Sequence, residues 1–170
     1  MRRIAAITRS PIVIALVATL AIAGCANRQT PNTAADLGLG GAGAGAATPG
    51  STQDFTVNVG DRIFFDTDSS VIRSDAQQTL RRQAQWLSQH RGYSITMEGH
   101  ADERGTREYN LALGARRAAA ARDFLIAQGV DGNRIRTISY GKERPVAVCD
   151  NISCWSQNRR GVTVLSGAGS

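Results

Sequence analysis

The segment from residue 54 to residue 166 alternates strand-like and helix-like patterns, and this alternation limits the possible folds more than any other feature. Alternating or short apolar runs predict strands in DRIFFD, YSITMEG, RIRTISYG and GVTVLS. Helical periodicity predicts one helix over residues 74–91 and another over residues 107–128. Strands that alternate with helices favour an α/β sandwich in β-α-β-α-β-β order, with two main helices packed on a mixed four-stranded sheet.

The apolar faces of these helices predict which residues form the core. Ser74 and Gln77 have capping-box spacing at the start of the first helix, and Gly92 is expected to end it. Gly129 is expected to end the second helix. The core-facing residues of the first helix are predicted to be Ala76, Leu80, Ala84 and Leu87. Those of the second are predicted to be Leu111, Ala115, Ala118 and Leu125, with Leu113, Ala120 and Phe124 beside them.

Residues 1–24 have the pattern of a secretory signal peptide. Three arginines precede an apolar run, residues 12–23, that is shorter than the ~20 residues of a membrane-spanning helix. The run ends in IAGC, which resembles the lipobox of bacterial lipoproteins, so Cys25 is expected to become an acylated, palmitate-bearing N-terminus. Ala26 after it favours the outer membrane, by resemblance to lipoprotein sorting rules. An ordinary signal peptide with a chance cysteine is the alternative.

Residues 25–53 form the second predicted region of the chain. They include GLGGAGAGAATPGST, which has too little large apolar surface to form a core, so a flexible tether is expected. A tether of about 28 residues reaches roughly 95 Å when fully extended. Residues 54–166 are the right size for a single domain, and residues 167–170 are a C-terminal tail.

The charge of the chain does not favour a nucleic-acid-binding protein. The formal net charge of +6 includes the three arginines of the predicted signal, so cleavage would halve it. Aromatic residues are only 5% of the sequence, and the arginines are dispersed among acids rather than gathered in a basic stripe. We therefore expect no nucleic-acid partner.

The three cysteines of the chain predict a disulfide bond. Acylation of Cys25 leaves Cys149 and Cys154, which in an exported protein are expected to pair with each other. Free or redox-active thiols are the alternative, and zinc is a weaker one because no second ligand pair lies nearby in sequence.

Five motifs resemble those of the OmpA-like peptidoglycan-binding domain family: FFDTD, EGHADERGTREYN, LGARRA, SYGKERP and QNRR. The resemblance covers roughly residues 60–165 and, with the lipobox and tether, extends to the lipid-anchored members of the Tol-Pal system. The chain departs from the commonest pattern at Arg107, where many relatives have proline, and in the insert CDNISC. The resemblance implies an OmpA-like fold and a non-enzymatic protein without a cofactor, which binds peptidoglycan stem peptides and ties the outer membrane to the cell wall. TolB and other Tol proteins are the implied partners, with a role in envelope integrity and cell division.

The implied ligand is diaminopimelate, whose free end carries an ammonium and a carboxylate. Asp102 is expected to accept hydrogen bonds from the ammonium, and Arg117 to present a planar pair of donors to the carboxylate. Gly99 and Gly105 are expected to fold the intervening loop tightly enough to bring Asp102 to the helix that carries Arg117. The resemblance also implies a supporting pocket of Phe65, Asp66, Ala101 and Asn110.

Other roles for these residues remain open. Phe65 fits the core equally well, and Asp66 fits a turn cap equally well. A cell-wall hydrolase would use Glu98, His100, Asp102 and Glu103, but the chain has only two histidines and no nucleophile motif, so we expect neither catalytic nor metal-binding residues. A lipoprotein that mainly docks proteins, with secondary wall binding, is the other alternative. Whether His100 makes binding pH-sensitive is open, as are the roles of Trp86 and Trp155.

Overall fold

The computed structural model describes residues 47–167. In chain order the elements are α1 (Thr52–Asp54), a π-helical segment (Phe55–Gly60), β1 (Arg62–Phe64), α2 (Ser74–Gln89), β2 (Ser94–His100), α3 (Arg107–Ala127), a 3₁₀ helix (Gly132–Arg134), β3 (Ile135–Gly141), α4 (Ile152–Asn158) and β4 (Arg160–Ser166). The predicted signal, Cys25, most of the predicted tether and residues 168–170 lie outside the described residues. Within that described part, no helix combines the length and the apolar character needed to span a membrane.

The four strands form one sheet in the order β1-β4-β2-β3. β2 runs parallel to β3, and β4 runs antiparallel to β1 and β2. α3 packs on β2 and β3, and α2 packs on β1 and α3. These contacts confirm the predicted α/β sandwich, in which two main helices lie on a mixed four-stranded sheet. The π-helical segment and α4 were not predicted, because both are short and lack a clear apolar period.

α2 buries the face that its sequence pattern predicts, formed by Ala76, Leu80, Ala84 and Leu87. The predicted capping box is wrong, because Arg73 is the residue before the first turn and makes no side-chain capping bond. The side chain of Gln77 donates to the carbonyl of Ile72, at 3.2 Å, instead of returning to the backbone of a capping serine.

The end of α2 is fixed by a distant arginine rather than by Gly92. The helix ends at Gln89, before that glycine is reached. The guanidinium of Arg134 donates to the carbonyls of Leu87 and His90, at 3.2 and 3.1 Å. These bonds satisfy acceptors that would otherwise be unpaired at a helix C-terminus.

α3 begins and ends at well-defined residues. The hydroxyl of Thr106 accepts from the backbone N–H of Tyr109, and Gly129, with a φ of 92°, follows the last turn as predicted. Part of the predicted apolar stripe is wrong, because Leu111 and Ala115 are exposed. The buried face keeps the predicted Ala118 and Leu125, together with Leu113 beside them, and adds Asn110, Gly114, Arg117 and Ala121. Because the polar residues Asn110 and Arg117 are buried on this face, the buried face of α3 differs from the one that apolar residues alone predict.

The chain joins the domain near Gly50, within the segment that the sequence assigns to the tether. The hydroxyl of Tyr93, the residue before β2, donates to the carbonyl of Gly50 at 2.8 Å. The indole N–H of Trp86 donates to the carboxylate of Asp54 at 2.9 Å, and the ring of Phe55 packs against the indole with centroids 5.0 Å apart. These contacts place Trp86 in the core. They also hold the segment around Gly50 against the N-terminal end of β2.

Candidate functional site

Three segments meet at the carboxyl end of β2: the loop after β1, the loop between β2 and α3, and the first turns of α3. They enclose a cavity of about 250 Å³. Asp102 and Arg117, the two ligand-binding residues predicted from the sequence, both line it, together with a second carboxylate, Asp68, and a second guanidinium, Arg104. The other lining residues are Thr67, Gly105, Tyr109, Asn110 and Leu113.

The site depends on a direct backbone contact between β2 and α3 at two glycines. A Cβ atom on Gly99 would lie 1.8 Å from the carbonyl oxygen of Gly114, which no side chain can tolerate. Asp102 lies three positions after Gly99, and Arg117 lies three positions after Gly114, so this contact brings the two together. Gly99 thus serves close packing rather than the tight turn expected of it, whereas Gly105, with a φ of 87°, does supply a turn.

Arg117 is completely buried, and backbone carbonyls hold its guanidinium. Nε donates to the carbonyl of Ser69 at 2.8 Å, Nη1 to that of His100 at 2.8 Å, and Nη2 to that of Asp66 at 3.0 Å. The ring of Phe65 lies against the guanidinium, with its centroid 5.1 Å from Cζ. Burial lowers the pKa of Arg117 to about 10, so the side chain is still a cation at neutral pH. A guanidinium has five N–H donors, so two remain beyond those given to carbonyls.

Asp102 is also buried, and two arginines bind its carboxylate. Oδ1 accepts from the backbone N–H and Nε of Arg104, at 3.2 and 3.1 Å. Oδ2 accepts from Nη2 of Arg104 at 2.7 Å and from Nη1 of Arg159 at 3.3 Å. Burial raises the pKa of the Asp102 carboxyl, but the hydrogen bonds from Arg104 and Arg159 outweigh it and hold the pKa below its ordinary value. Asp102 is therefore an anion whose charge is balanced inside the protein.

The loop after β1 places Asp68, rather than the predicted Asp66, in the cavity wall. Asp68 has a φ of 53°, and its carboxylate accepts a hydrogen bond from the hydroxyl of Tyr109. Non-glycine residues in this left-handed region are uncommon and cluster at functional sites. The side chain of Asp66 is exposed and pairs with Arg73 at 3.1 Å, while its carbonyl serves Arg117. FFDTD contains both aspartates, and only the turn between them decides which one faces the cavity.

The other three residues of the predicted pocket have different positions. Asn110 lines the cavity, and its amide donates to the carbonyls of Arg104 and Thr106, at 2.7 and 3.1 Å. Phe65 belongs to the hydrophobic core, where it supports the guanidinium from outside the cavity lining. Ala101 lines a second cavity, of about 410 Å³, instead. Asn110 therefore fixes the loop that carries Asp102, and the other two residues lie behind the site.

A disulfide-closed segment lies beside the site. The predicted bond between Cys149 and Cys154 is confirmed, with their Cα atoms 5.6 Å apart. The next residue, Trp155, places its ring 4.2 Å from Cζ of Arg104, and its indole N–H donates to the carboxylate of Glu103. Trp155 therefore supports the loop between β2 and α3.

His100 ends β2 and is almost fully buried. Its Nε2 lies 3.3 Å from Oε2 of Glu98, and no further histidine, cysteine, aspartate or glutamate completes a metal-binding group within the described residues. Burial, followed by the nearby charges of Arg160 and Arg144, lowers the pKa of His100 to about 4. The ring is therefore neutral between pH 5 and 8, so binding over that range is not expected to depend on it.

Protonation of His100 is expected to destabilise the domain in mild acid. The pKa is 6.5 in an ordinary environment and about 4 in the folded protein, so between these values the unfolded state binds more protons and stability falls as pH falls. Lowering the pH from 7 to 4.5 should reduce the free energy of unfolding by about 2–3 kcal/mol more in the wild type than in His100→Gln, as measured by denaturant unfolding. Equal losses in the two proteins would contradict this assignment.

Comparison with known proteins gives a consistent result. Residues 64–159 match the model of the OmpA family. A peptidoglycan-associated lipoprotein from Mesorhizobium japonicum is 78% identical over 170 residues, covering 100% of both chains, and one from Pseudomonas aeruginosa is 38% identical, covering 86% of this chain and 91% of its own. The crystal structure of the peptidoglycan-associated lipoprotein from Burkholderia pseudomallei superposes with a TM-score of 0.61 at 42% identity, covering 62% of this chain and 90% of that one.

Proposed function

The chain belongs to the OmpA family, among its peptidoglycan-associated lipoproteins, and we propose that its cavity binds the free end of diaminopimelate in peptidoglycan stem peptides. That end carries an ammonium and a carboxylate. The observation that supports the proposal is a single cavity lined by two carboxylates, of Asp68 and Asp102, and by the guanidinium of Arg117. A doubly charged ligand matches these opposite charges, whereas a neutral sugar does not.

The charged residues of the cavity have separate roles in this proposal. The ligand ammonium donates to Asp68 and Asp102, and the ligand carboxylate accepts from the two N–H donors of Arg117 that are not used by carbonyls. Hydrogen bonds to charged groups contribute about 1.5–3 kcal/mol each, so two or three of them suit micromolar affinity for one stem peptide. Binding of this kind breaks and forms no covalent bond.

The lipoprotein architecture supports a tethering role. We propose that acylated Cys25 anchors the protein in the outer membrane, facing the periplasm, and that residues 26–50 carry the domain to the cell wall. Non-covalent binding to the wall would then tie the outer membrane to it and support envelope integrity.

Partnership with TolB and other Tol proteins, in cell division as well as in envelope integrity, is part of the same proposal. An exposed apolar group around the disulfide supports a protein contact, since Val146, Val148 and Ile152 are 54%, 88% and 61% exposed. Trp155 connects this surface to the loop of Asp102, so a bound protein would lie close to the wall-binding cavity. Protein docking with only secondary wall binding remains the second candidate function.

Sedimentation with purified wall sacculi tests the ligand and its residues together. Asp102→Asn should lower the affinity about ten- to a hundredfold, because a charge-assisted hydrogen bond to the ammonium is lost. Free diaminopimelate should compete with the sacculi for the wild type. Asp123→Asn is the matched control, since Asp123 is an exposed carboxylate on α3 outside the cavity lining, and its binding should be unchanged.

Two outcomes would refute the assignment. Undiminished sedimentation of a folded Asp102→Asn would exclude the cavity as the wall site. Sedimentation that diaminopimelate does not reduce would exclude the proposed ligand and favour protein docking as the main activity.

A further inference from the structure

We infer that the guanidinium of Arg104 is a cation of the protein itself that the ligand ammonium must displace from Asp102. Arg104 therefore sets the affinity of the cavity for amine-bearing ligands. The inference rests on the function proposed above. In the structure, Arg104 binds both oxygens of the Asp102 carboxylate.

The carboxylate of Asp102 already has its full number of donors. Oδ1 accepts from the backbone N–H and Nε of Arg104, and Oδ2 accepts from Nη2 of Arg104 and Nη1 of Arg159. A carboxylate offers about four lone-pair sites, so four donors leave none for an ammonium. One of these donors must leave before a ligand amine can bind Asp102.

Arg104 is the residue that can leave. The side chain of Arg159 is only 8% exposed and also donates to the carbonyl of Phe65 at 3.1 Å, so its departure would leave a buried acceptor unpaired. The side chain of Arg104 is 41% exposed, so water can solvate its guanidinium once it leaves Asp102. Solvent screens this guanidinium, and ion pairs with solvent-exposed partners typically change an equilibrium constant by up to about fivefold.

The backbone around Arg104 can stay in place during this exchange. The amide of Asn110 holds the carbonyl of Arg104 at 2.7 Å, and the ammonium of Lys142 donates to the carbonyl of Gly105 at 2.6 Å. The ring of Trp155 offers the departing guanidinium a surface that it already contacts. The exchange therefore needs only side-chain rotation of Arg104.

This exchange predicts which ligands bind. A ligand with a free amine replaces the cation that it removes, so the charge of Asp102 stays balanced. A ligand whose amine is blocked cannot replace that charge, and Asp102 stays closed by Arg104. Removal of the guanidinium should therefore strengthen the binding of amine-bearing ligands alone.

Calorimetric titration of the protein with a stem tripeptide ending in diaminopimelate tests the inference. Arg104→Met keeps the length of the side chain but removes its charge and donors, and it should bind about three- to fivefold more tightly than the wild type. Arg107→Met is the matched control, because Arg107 pairs with exposed Glu143 outside the cavity, and its affinity should be unchanged. With the free-end amine of the peptide acetylated, Arg104→Met and the wild type should bind equally weakly.

The outcomes separate this inference from the proposed function. A wild type that does not bind the tripeptide refutes the proposed function. A wild type that binds, together with an Arg104→Met variant that binds equally or more weakly, overturns the role of Arg104 alone. Equal strengthening toward the amine and the acetylated peptide would also overturn it, because the effect would then not involve the ligand cation.

Discussion

Gly99→Ala is expected to destabilise the domain by at least about 4 kcal/mol, enough to unfold many small domains. The new Cβ would lie 1.8 Å from the carbonyl oxygen of Gly114 and 3.2 Å from the Cβ of Ala118. The first of these atoms belongs to the backbone of α3, which cannot rotate away, so β2 and α3 would have to separate. Urea unfolding followed by circular dichroism measures the effect.

A second glycine distinguishes steric contact from backbone strain. Gly129 has a φ of 92° and open space around it, so Gly129→Ala should cost only about 1–2 kcal/mol of conformational strain. A Gly99→Ala protein that unfolds at the same urea concentration as Gly129→Ala would show that β2 and α3 are not in the contact described. Binding is not a suitable measure here, because it is lost with the fold.

Arg117→Ala is expected to lower the free energy of unfolding by about 3–5 kcal/mol, besides removing the proposed carboxylate contact. The guanidinium binds three carbonyls in two segments, those of Asp66 and Ser69 in the loop after β1 and that of His100 at the end of β2. Removing it leaves a buried cavity whose carbonyl acceptors have lost this donor. Loss of wall binding in this variant would therefore not by itself identify a ligand contact.

Arg117→Lys separates charge from geometry. A lysine keeps the cation, but one ammonium cannot reach three carbonyls that surround a planar guanidinium. We expect a loss of stability close to that of Arg117→Ala, measured by the same urea unfolding. A lysine variant as stable as the wild type would show that charge alone holds this part of the site.

The sequence predicts the fold class and names two residues that line the cavity, Asp102 and Arg117, but not the arrangement around them. Alternating patterns and helix lengths depend on local residues, so the strands and both main helices are recovered. The stripe of α3 was partly wrong because Asn110 and Arg117 occupy buried positions that apolar periodicity does not count. Burial of an arginine is possible only because distant carbonyls surround it, and no local pattern encodes them.

The same limit explains the residues that were missed. Asp68 and Asp66 are equivalent in the sequence, and the left-handed backbone of Asp68 alone turns its carboxylate to the cavity. Arg104 is one of many arginines in the sequence. Its ion pair with Asp102 depends on the turn between the two residues, and the sequence does not predict the geometry of that turn. Arg159 reaches Asp102 from the other end of the domain sequence, across 57 positions.

The hydrogen bond from Tyr93 to Gly50 has a mechanical consequence. The N-terminal segment meets the domain beside the start of β2, whereas the cavity lies beyond the other end of this strand, about 20 Å away. In the proposed tethering function, tension between the lipid anchor and a wall-bound ligand would pull along β2, which is hydrogen-bonded on both sides, to β3 and β4. A pull in this direction shears both ladders at once instead of peeling their bonds apart one by one, and that geometry suits a connector between two moving envelope layers.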